Sequence, residues 1–292
     1  MGATESLIED LIACGIGGLY VCGGTGEGVL LSPAVRQRMA ETAIGAVAGR
    51  VPVMVHIASI NCDDTLALAA HAARAGADAI SAIPPFYYSY PFPTIRDHYQ
   101  RISAASDLPL YLYYIPGSTG AHVTPEQLLE ICDLDGVSGF KYTSHDLEYL
   151  SHVLALRDES VNVLSGPDQL LLPCLALGVD GAIGSTYNLM PRLYIDLMHL
   201  LEMGDLRAAR ELQFRANAII SAMHPFGIIP AAKAMLNMLG HDVGQASLPL
   251  PQMDAASREL LRARLEDVGY PDLVARPSCT NQGSDPMRGR FA

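Results

Sequence analysis

Seven short β-rich runs alternate with amphipathic helical patterns along most of this chain, and that rhythm restricts it to a parallel sheet of consecutive βα units. The runs are Gly18 to Cys22, Val51 to Ile57, Ala79 to Ile83, Leu110 to Ile115, Val137 to Tyr142, Val161 to Leu164 and Ala182 to Ser185. Between them lie segments such as Pro33 to Ala48, Thr65 to Ala75, Pro125 to Cys132 and Asp168 to Leu177, and several helical patterns exit at a glycine, among them Gly15, Gly76 and Gly178. The phrase Ala-Gly-Ala-Asp-Ala-Ile at 75 to 80 returns as Leu-Gly-Val-Asp-Gly-Ala-Ile at 177 to 183. Two near copies of helix exit, tight turn and next strand favour an α/β fold of the (β/α)8 TIM barrel type over an open sheet.

Seven strand patterns are one short of a closed barrel. The chain opens at Thr4-Glu-Ser-Leu, which reads as a helix N-cap with no strand before it, so the first strand is expected to be missing from this polypeptide. From Gly204 onward helical patterns dominate, notably Asp205 to Met223 and Ile229 to Leu239. The expected domains are a barrel catalytic domain over 1–203 and a helical region over 204–275. Beyond them, 276–292 is polar, rich in Gly, Ser and Pro, and aperiodic, which predicts a disordered tail.

The formal net charge of -12 gives no electrostatic footprint for nucleic acid or an anionic membrane, and neither partner is expected. No run of apolar residues reaches membrane-spanning length, and the N-terminus lacks a basic region followed by an apolar one. Six cysteines, at 14, 22, 62, 132, 174 and 279, show no CxxC or paired spacing, which fits buried thiols in a reducing cytoplasm. The nine histidines show no ligand spacing, so no metal is expected.

Lysine is nearly absent, with two against seventeen arginines, and one of the two, Lys141, ends the strand in Gly136-Val-Ser-Gly-Phe-Lys-Tyr-Thr143. A guanidinium stays charged and cannot serve as a neutral amine nucleophile, whereas a desolvated lysine can, so Lys141 is the leading candidate for covalent chemistry. The bland alternative is a lysine reaching from a strand end to water. Alternation puts Gly139, Lys141 and Thr143 on one face, and in the preceding strand Tyr111, Tyr113 and Ile115 share a face. Lys141 and Tyr113 both fall at the C-terminal strand ends where barrel active sites gather. A phenol there can shuttle protons, although taken alone Tyr113 also fits an ordinary core aromatic. The first run ends in Gly23-Gly-Thr-Gly-Glu-Gly28, whose backbone N–H groups could approach a carboxylate, or which could be no more than a tight turn.

At these residues the chain resembles the family of dihydrodipicolinate synthase and N-acetylneuraminate lyase, the pyruvate-dependent class I aldolases. The resemblance spans nearly the whole chain and rests on Gly-Gly-Thr-Gly-Glu (23 to 27), Pro85-Phe-Tyr-Tyr88, Tyr113-Tyr-Ile-Pro116, Gly139-Phe-Lys-Tyr-Thr143 and Gly184-Ser-Thr-Tyr-Asn188. It implies that Lys141 forms a Schiff base with pyruvate and that Tyr113 relays the proton. It further implies that Thr25 and the backbone at Gly24 hold the pyruvate carboxylate, and that Tyr87 is lent across a subunit interface of a homotetramer. Gly166-Pro-Asp168, Thr143 and Gly184-Ser185 resemble lyase positions that contact a sugar chain, with Asp168, Ser185 and Thr143 on substrate hydroxyls. The synthase branch carries an arginine where this chain has Ser118, which points away from lysine biosynthesis.

The resemblance thus implies cleavage of N-acetylneuraminate or a similar 2-oxo-3-deoxy sugar acid to pyruvate and an aldehyde sugar, with a small-molecule substrate and no cofactor. Three departures stand beside it. Gly24 replaces a Ser or Thr that links two tyrosines, Gln169 replaces a glutamate that reaches the sugar's glycerol tail, and a strand ending in Thr-Pro-Phe ahead of Thr4 is absent. They keep open an aldolase or dehydratase for another 2-oxo acid, of the 2-oxo-3-deoxygluconate kind, and a catalytically impaired sugar-acid binding homologue.

Overall fold

The computed structural model describes residues 2–270, so the tail expected at 276–292 and Cys279 lie outside the described residues. The strands are β1 (Leu19–Val21), β2 (Val53–His56), β3 (Ala79–Ala82), β4 (Leu110–Tyr114), β5 (Val137–Tyr142), β6 (Asn162–Ser165) and β7 (Gly181–Ala182). The helices are α1 (Ala3–Ala13), α2 (Pro33–Val47), α3 (Cys62–Ala75), α4 (Phe92–Ala104), α5 (Pro116–Thr119), α6 (Pro125–Cys132), α7 (Leu147–Leu156), α8 (Leu171–Leu177), α9 (Pro191–Glu202), α10 (Leu206–Met223), α11 (Ile228–Met238) and α12 (Ala255–Asp267).

All seven strands are parallel and pair in chain order, β1 to β7. Every expected run is therefore a strand of one sheet of the (β/α) barrel type. Among the described residues β1 and β7 have no strand on their outer edges. β7 is shorter than the expected Ala182 to Ser185: Ile183 N–H makes one further bond, to the Ser165 carbonyl at 2.9 Å, and Gly184 and Ser185 then lead into the single turn Thr186–Asn188.

The two near copies that suggested a barrel have the same physical basis. The Asp78 backbone N–H donates to the Val53 carbonyl at 3.0 Å, and its carboxylate Oδ2 accepts from Val53 N–H at 2.7 Å. The Asp180 N–H donates to the Val163 carbonyl at 2.8 Å, and its Oδ2 accepts from Val163 N–H at 2.7 Å. Each aspartate thus pins the strand that follows it to the strand before it with two bonds. Arg157 adds an ion pair to Asp180 at 2.6 Å.

The described residues gather into two compact units. One holds Gly17–Pro167 and Pro173–Ile183 and contains the whole sheet. Its core includes Met54, Ala79, Tyr111 and Leu164, with Tyr20 and Ile183 packed against them. Arg36 of α2 is buried there and grips the end of β2, its guanidinium donating to the His56 carbonyl at 2.7 Å and the Ala58 carbonyl at 2.8 Å.

The second unit holds 2–16, Asp168–Leu172 and 184–270, and so takes in α1 and α9 as well as the helices from 204 onward. His241 ties α1 into it, through Ser6 Oγ at 3.2 Å and the Asp10 carboxylate at 3.3 Å. The cap of α1 differs from the expected one. Gly2 is the N-cap and Thr4 lies inside the helix, because Glu5 reaches back to accept the Gly2 N–H at 2.6 Å and satisfies an end that no hydroxyl covers.

Candidate active site

Lys141 is 6 % exposed and stands on β5 in register with Tyr113 of β4. Its Nζ lies 4.1 Å from the centroid of the Tyr113 ring and 5.2 Å from that of Tyr20. Position 139 must be glycine for β5 to pack, since a Cβ there would collide with the Asn162 carbonyl on β6. The rings of Tyr20, His56 and Tyr113 meet edge to face in all three pairs, each with centroids 6.1 Å apart. Tyr20 donates its hydroxyl to Ser81 Oγ at 3.1 Å.

Burial sets the electrostatics of this cluster. It raises the Tyr20 phenol well above its ordinary range, and the neighbouring Tyr113 adds to the shift. His56 is pushed down to about 3, first by burial and then by the charges of Arg36 and Lys141, with the Cys22 backbone pulling weakly the other way. At neutral pH it is therefore an uncharged imidazole, and neither ring nitrogen has a partner of hydrogen-bonding geometry among the described residues.

Within this cluster, Tyr20, Ser81 and His56 are the residues that sequence reasoning did not single out. The signal was present in the alternation of β1 and β2, which puts Tyr20 and His56 on the face shared with Met54, but a strand tyrosine and a strand histidine have common structural roles.

The glycine-rich turn lies at the same end. A Cβ on Gly24 would sit 3.8 Å from the Tyr113 hydroxyl, so the exposed Gly24 borders the phenol without crowding it. Bonds from Glu27 N–H to the Gly24 carbonyl and from Gly28 N–H to the Gly23 carbonyl, at 3.0 and 3.1 Å, hold the turn, with Thr25 half-buried within it. Gly28 is required for packing, since a Cβ there would collide with the Cys22 carbonyl.

Thr143 and Gly166 are brought together at the ends of β5 and β6. A Cβ on Gly166 would collide with Thr143 Oγ1, and that hydroxyl is buried without a partner among the described residues. Such a group costs about 1–3 kcal/mol unless something pairs with it, which makes it a candidate contact for a substrate hydroxyl. Tyr87 stands apart from these residues in its surroundings: it is 78 % exposed, at φ +80°, and its ring contacts Tyr88.

The second unit brings together another set of the expected residues. Asp168 is 6 % exposed, and its Oδ2 accepts from Thr186 N–H at 2.7 Å and Thr186 Oγ1 at 2.6 Å. Thr186 Oγ1 in turn meets the Tyr194 hydroxyl at 2.6 Å, and burial together with the Asp168 charge raises the Tyr194 phenol. Gly184 lies against the carboxylate, where any Cβ would collide with Asp168 Oδ1. Ser185 and Gln169 are half-buried in the two segments that carry these groups. Among the described residues no three His, Cys, Asp or Glu side chains gather as a metal site.

Known proteins resemble this chain over most of its length. The model of the dihydrodipicolinate synthetase family matches residues 2–268. An N-acetylneuraminate lyase of Rhizobium meliloti is 34 % identical over 266 residues, covering 91 % of this chain and 88 % of the relative. One of Lactiplantibacillus plantarum is 35 % identical over 246 residues, covering 83 % and 84 %. Among solved structures, a sialic acid aldolase of Ruminococcus gnavus carrying a catalytic lysine mutation superposes with a TM-score of 0.88 at 28 % identity, over 93 % of this chain and 90 % of that one. On the span of the family match and these identities, the chain is a lyase that belongs to the dihydrodipicolinate synthetase family.

Proposed function

We propose that this lyase is a Schiff-base aldolase cleaving N-acetylneuraminate, or a similar 2-oxo-3-deoxy sugar acid, to pyruvate and an aldehyde sugar such as N-acetylmannosamine. The observation that carries the reading is the buried Lys141, in register with Tyr113 and 4.1 Å from its ring. In the neutral form the amine attacks the C2 ketone, and loss of water leaves an iminium. Tyr113 is the acid and base for the protons that move in this step. The C4 hydroxyl then gives up its proton as the C3–C4 bond breaks, and the bonding pair passes into the iminium to form an enamine. Protonation at C3 and hydrolysis release pyruvate and restore the amine.

Thr25 and the Gly24 backbone take the 2-oxo acid's carboxylate in this reading, while Thr143, Asp168 and Ser185 take hydroxyls of the sugar chain, with Gly166, Gln169 and Gly184 shaping their surroundings. Tyr87 is assigned to a neighbouring copy's proton relay in a homotetramer. Its support is a non-glycine residue held at positive φ with its ring in solvent, a strain that persists where function maintains it. The buried free thiols Cys22, Cys132 and Cys174 fit a reducing cytoplasm.

Incubation with pyruvate and borohydride tests the mechanism. One reduced adduct per chain should map to Lys141, whose replacement by arginine abolishes it. A label on Lys233, whose Nζ donates to the Gln245 carbonyl, or no label at all, would overturn the reading. A second substrate reading is favoured by Gln169: the carboxylate that in the resemblance reaches a glycerol tail is absent here, which suits a substrate without that tail, such as 2-oxo-3-deoxygluconate. A pyruvate-release screen over 2-oxo-3-deoxy acids separates the two.

A further inference from the structure

We infer that Gln213 and Asn217 of α10 are positioning residues that set, through the backbone of the 168–172 turn, which polyhydroxy chain the enzyme accepts. This rests on the proposed assignment of Asp168 to substrate hydroxyls. Spaced four apart, the two amides share one face of α10. Gln213 is 4 % exposed on a helix whose other buried residues include Ala209, Ala216, Ile219 and Ile220. A carboxamide placed among such neighbours must be paired, and its pairs reveal what it does.

Gln213 Oε1 accepts from Leu172 N–H at 2.9 Å, capping a donor in the first turn of α8 that has no partner within its own helix. Its Nε2 donates to the Asp168 carbonyl at 3.1 Å and to Asn217 Oδ1 at 2.9 Å. Asn217 Nδ2 then donates to the Gln169 carbonyl at 3.3 Å. Three of the four bonds land on the main chain of the turn, at 168, 169 and 172, and the fourth locks the two amides to each other.

The side chain of Asp168 is left to other partners. The Asp168 carboxylate is held separately by Thr186, which is itself bonded to Tyr194. Main chain and side chain are thus fixed from two directions, and a shift of the turn against Thr186 would re-aim the carboxylate. Removing the amide pair should therefore change recognition of the chain of hydroxyls and leave the amine chemistry at Lys141 as it is.

The test compares kcat and KM for a nine-carbon and a six-carbon 2-oxo-3-deoxy acid, with borohydride trapping of pyruvate measured alongside, in the full chain and in Gln213→Met, Gln213→Glu, Asn217→Asp and Asp168→Ala. Gln213→Met should shift the KM ratio of the two substrates by about tenfold or more, the scale of a lost buried polar contact, with pyruvate trapping within about twofold of the parent. Gln213→Glu keeps the acceptor for Leu172 and should lie between parent and Met. Asn217→Asp loses the donor to Gln169 and keeps the acceptor for Gln213, so it carries the test if the position 213 variants do not fold. Equal loss on both substrates and on trapping would mark general destabilisation and overturn the inference. An unchanged ratio in the amide variants, with Asp168→Ala altering it, would overturn the inference alone. An unchanged ratio in Asp168→Ala would remove the assignment of Asp168, and the inference with it.

Discussion

Around Lys141 shape limits substitution as strongly as chemistry does. Tyr113→Phe removes a hydroxyl and hardly changes packing, so the fold and some pyruvate affinity should survive while turnover falls by about 100-fold, the scale of a lost proton-transfer group. Steady-state rates beside a melting curve check this, and unchanged turnover would return Tyr113 to the core. Gly24→Ser should raise turnover, because its Cβ would sit 3.8 Å from the Tyr113 hydroxyl with nothing in the way. No gain would mean that the relay does not need a hydroxyl there. Lys141 and Tyr113 were legible in the sequence because lysine scarcity marked one and strand register the other. The roles of Thr186, quoted only within the Gly184-Ser-Thr-Tyr-Asn188 motif, and of Tyr194 were not, since the bonds that tie them to Asp168 join residues 18 and 8 positions apart, which no local pattern records.

The element that repeats in the sequence also repeats in its bonding. Asp78→Ala should cost about 1–2 kcal/mol, the value of a bond from a backbone N–H to the carboxylate of an exposed residue, read as a lower urea midpoint at unchanged slope. Asp180→Ala should cost more, because it also removes the ion pair to Arg157, whose guanidinium keeps only the Val161 and Gly178 carbonyls. Strand positions were readable to within a few residues, since apolar runs bounded by glycine and proline leave little choice. Strand ends were less so: β7 stops at Ala182 because the chain must turn at Gly184 to pack against Asp168, which no local pattern records. The cap of α1 was misplaced for a similar reason. Thr4 has the preferred chemistry, but the bond that closes the helix end runs from the Gly2 backbone to a glutamate three residues on.

For the molecule as a whole, two histidines shielded from solvent, His56 and the half-buried His98, predict sensitivity to acid. His56 is lowered to about 3 and His98 to about 4, in both cases chiefly by burial, while an unfolded histidine titrates near 6.5. Between these values the unfolded chain binds protons that the folded chain refuses, so the stability they contribute is complete above about pH 6.5 and is lost as pH falls toward 4 and 3. The unfolding free energy from urea titrations should decline over that window with a slope on the order of 1.4 kcal/mol per pH unit for each histidine, and His56→Gln should remove one share. A flat profile from pH 7 to 5 would contradict this. The order of the sheet carries a consequence for synthesis. Because every strand pairs with its immediate predecessor in the chain, each βα unit can dock as it leaves the ribosome, and no strand must wait for a partner made much later. Nascent chains stalled after Glu202, with β5 clear of the ribosome, should then already protect the amides of β2 to β5 from hydrogen exchange.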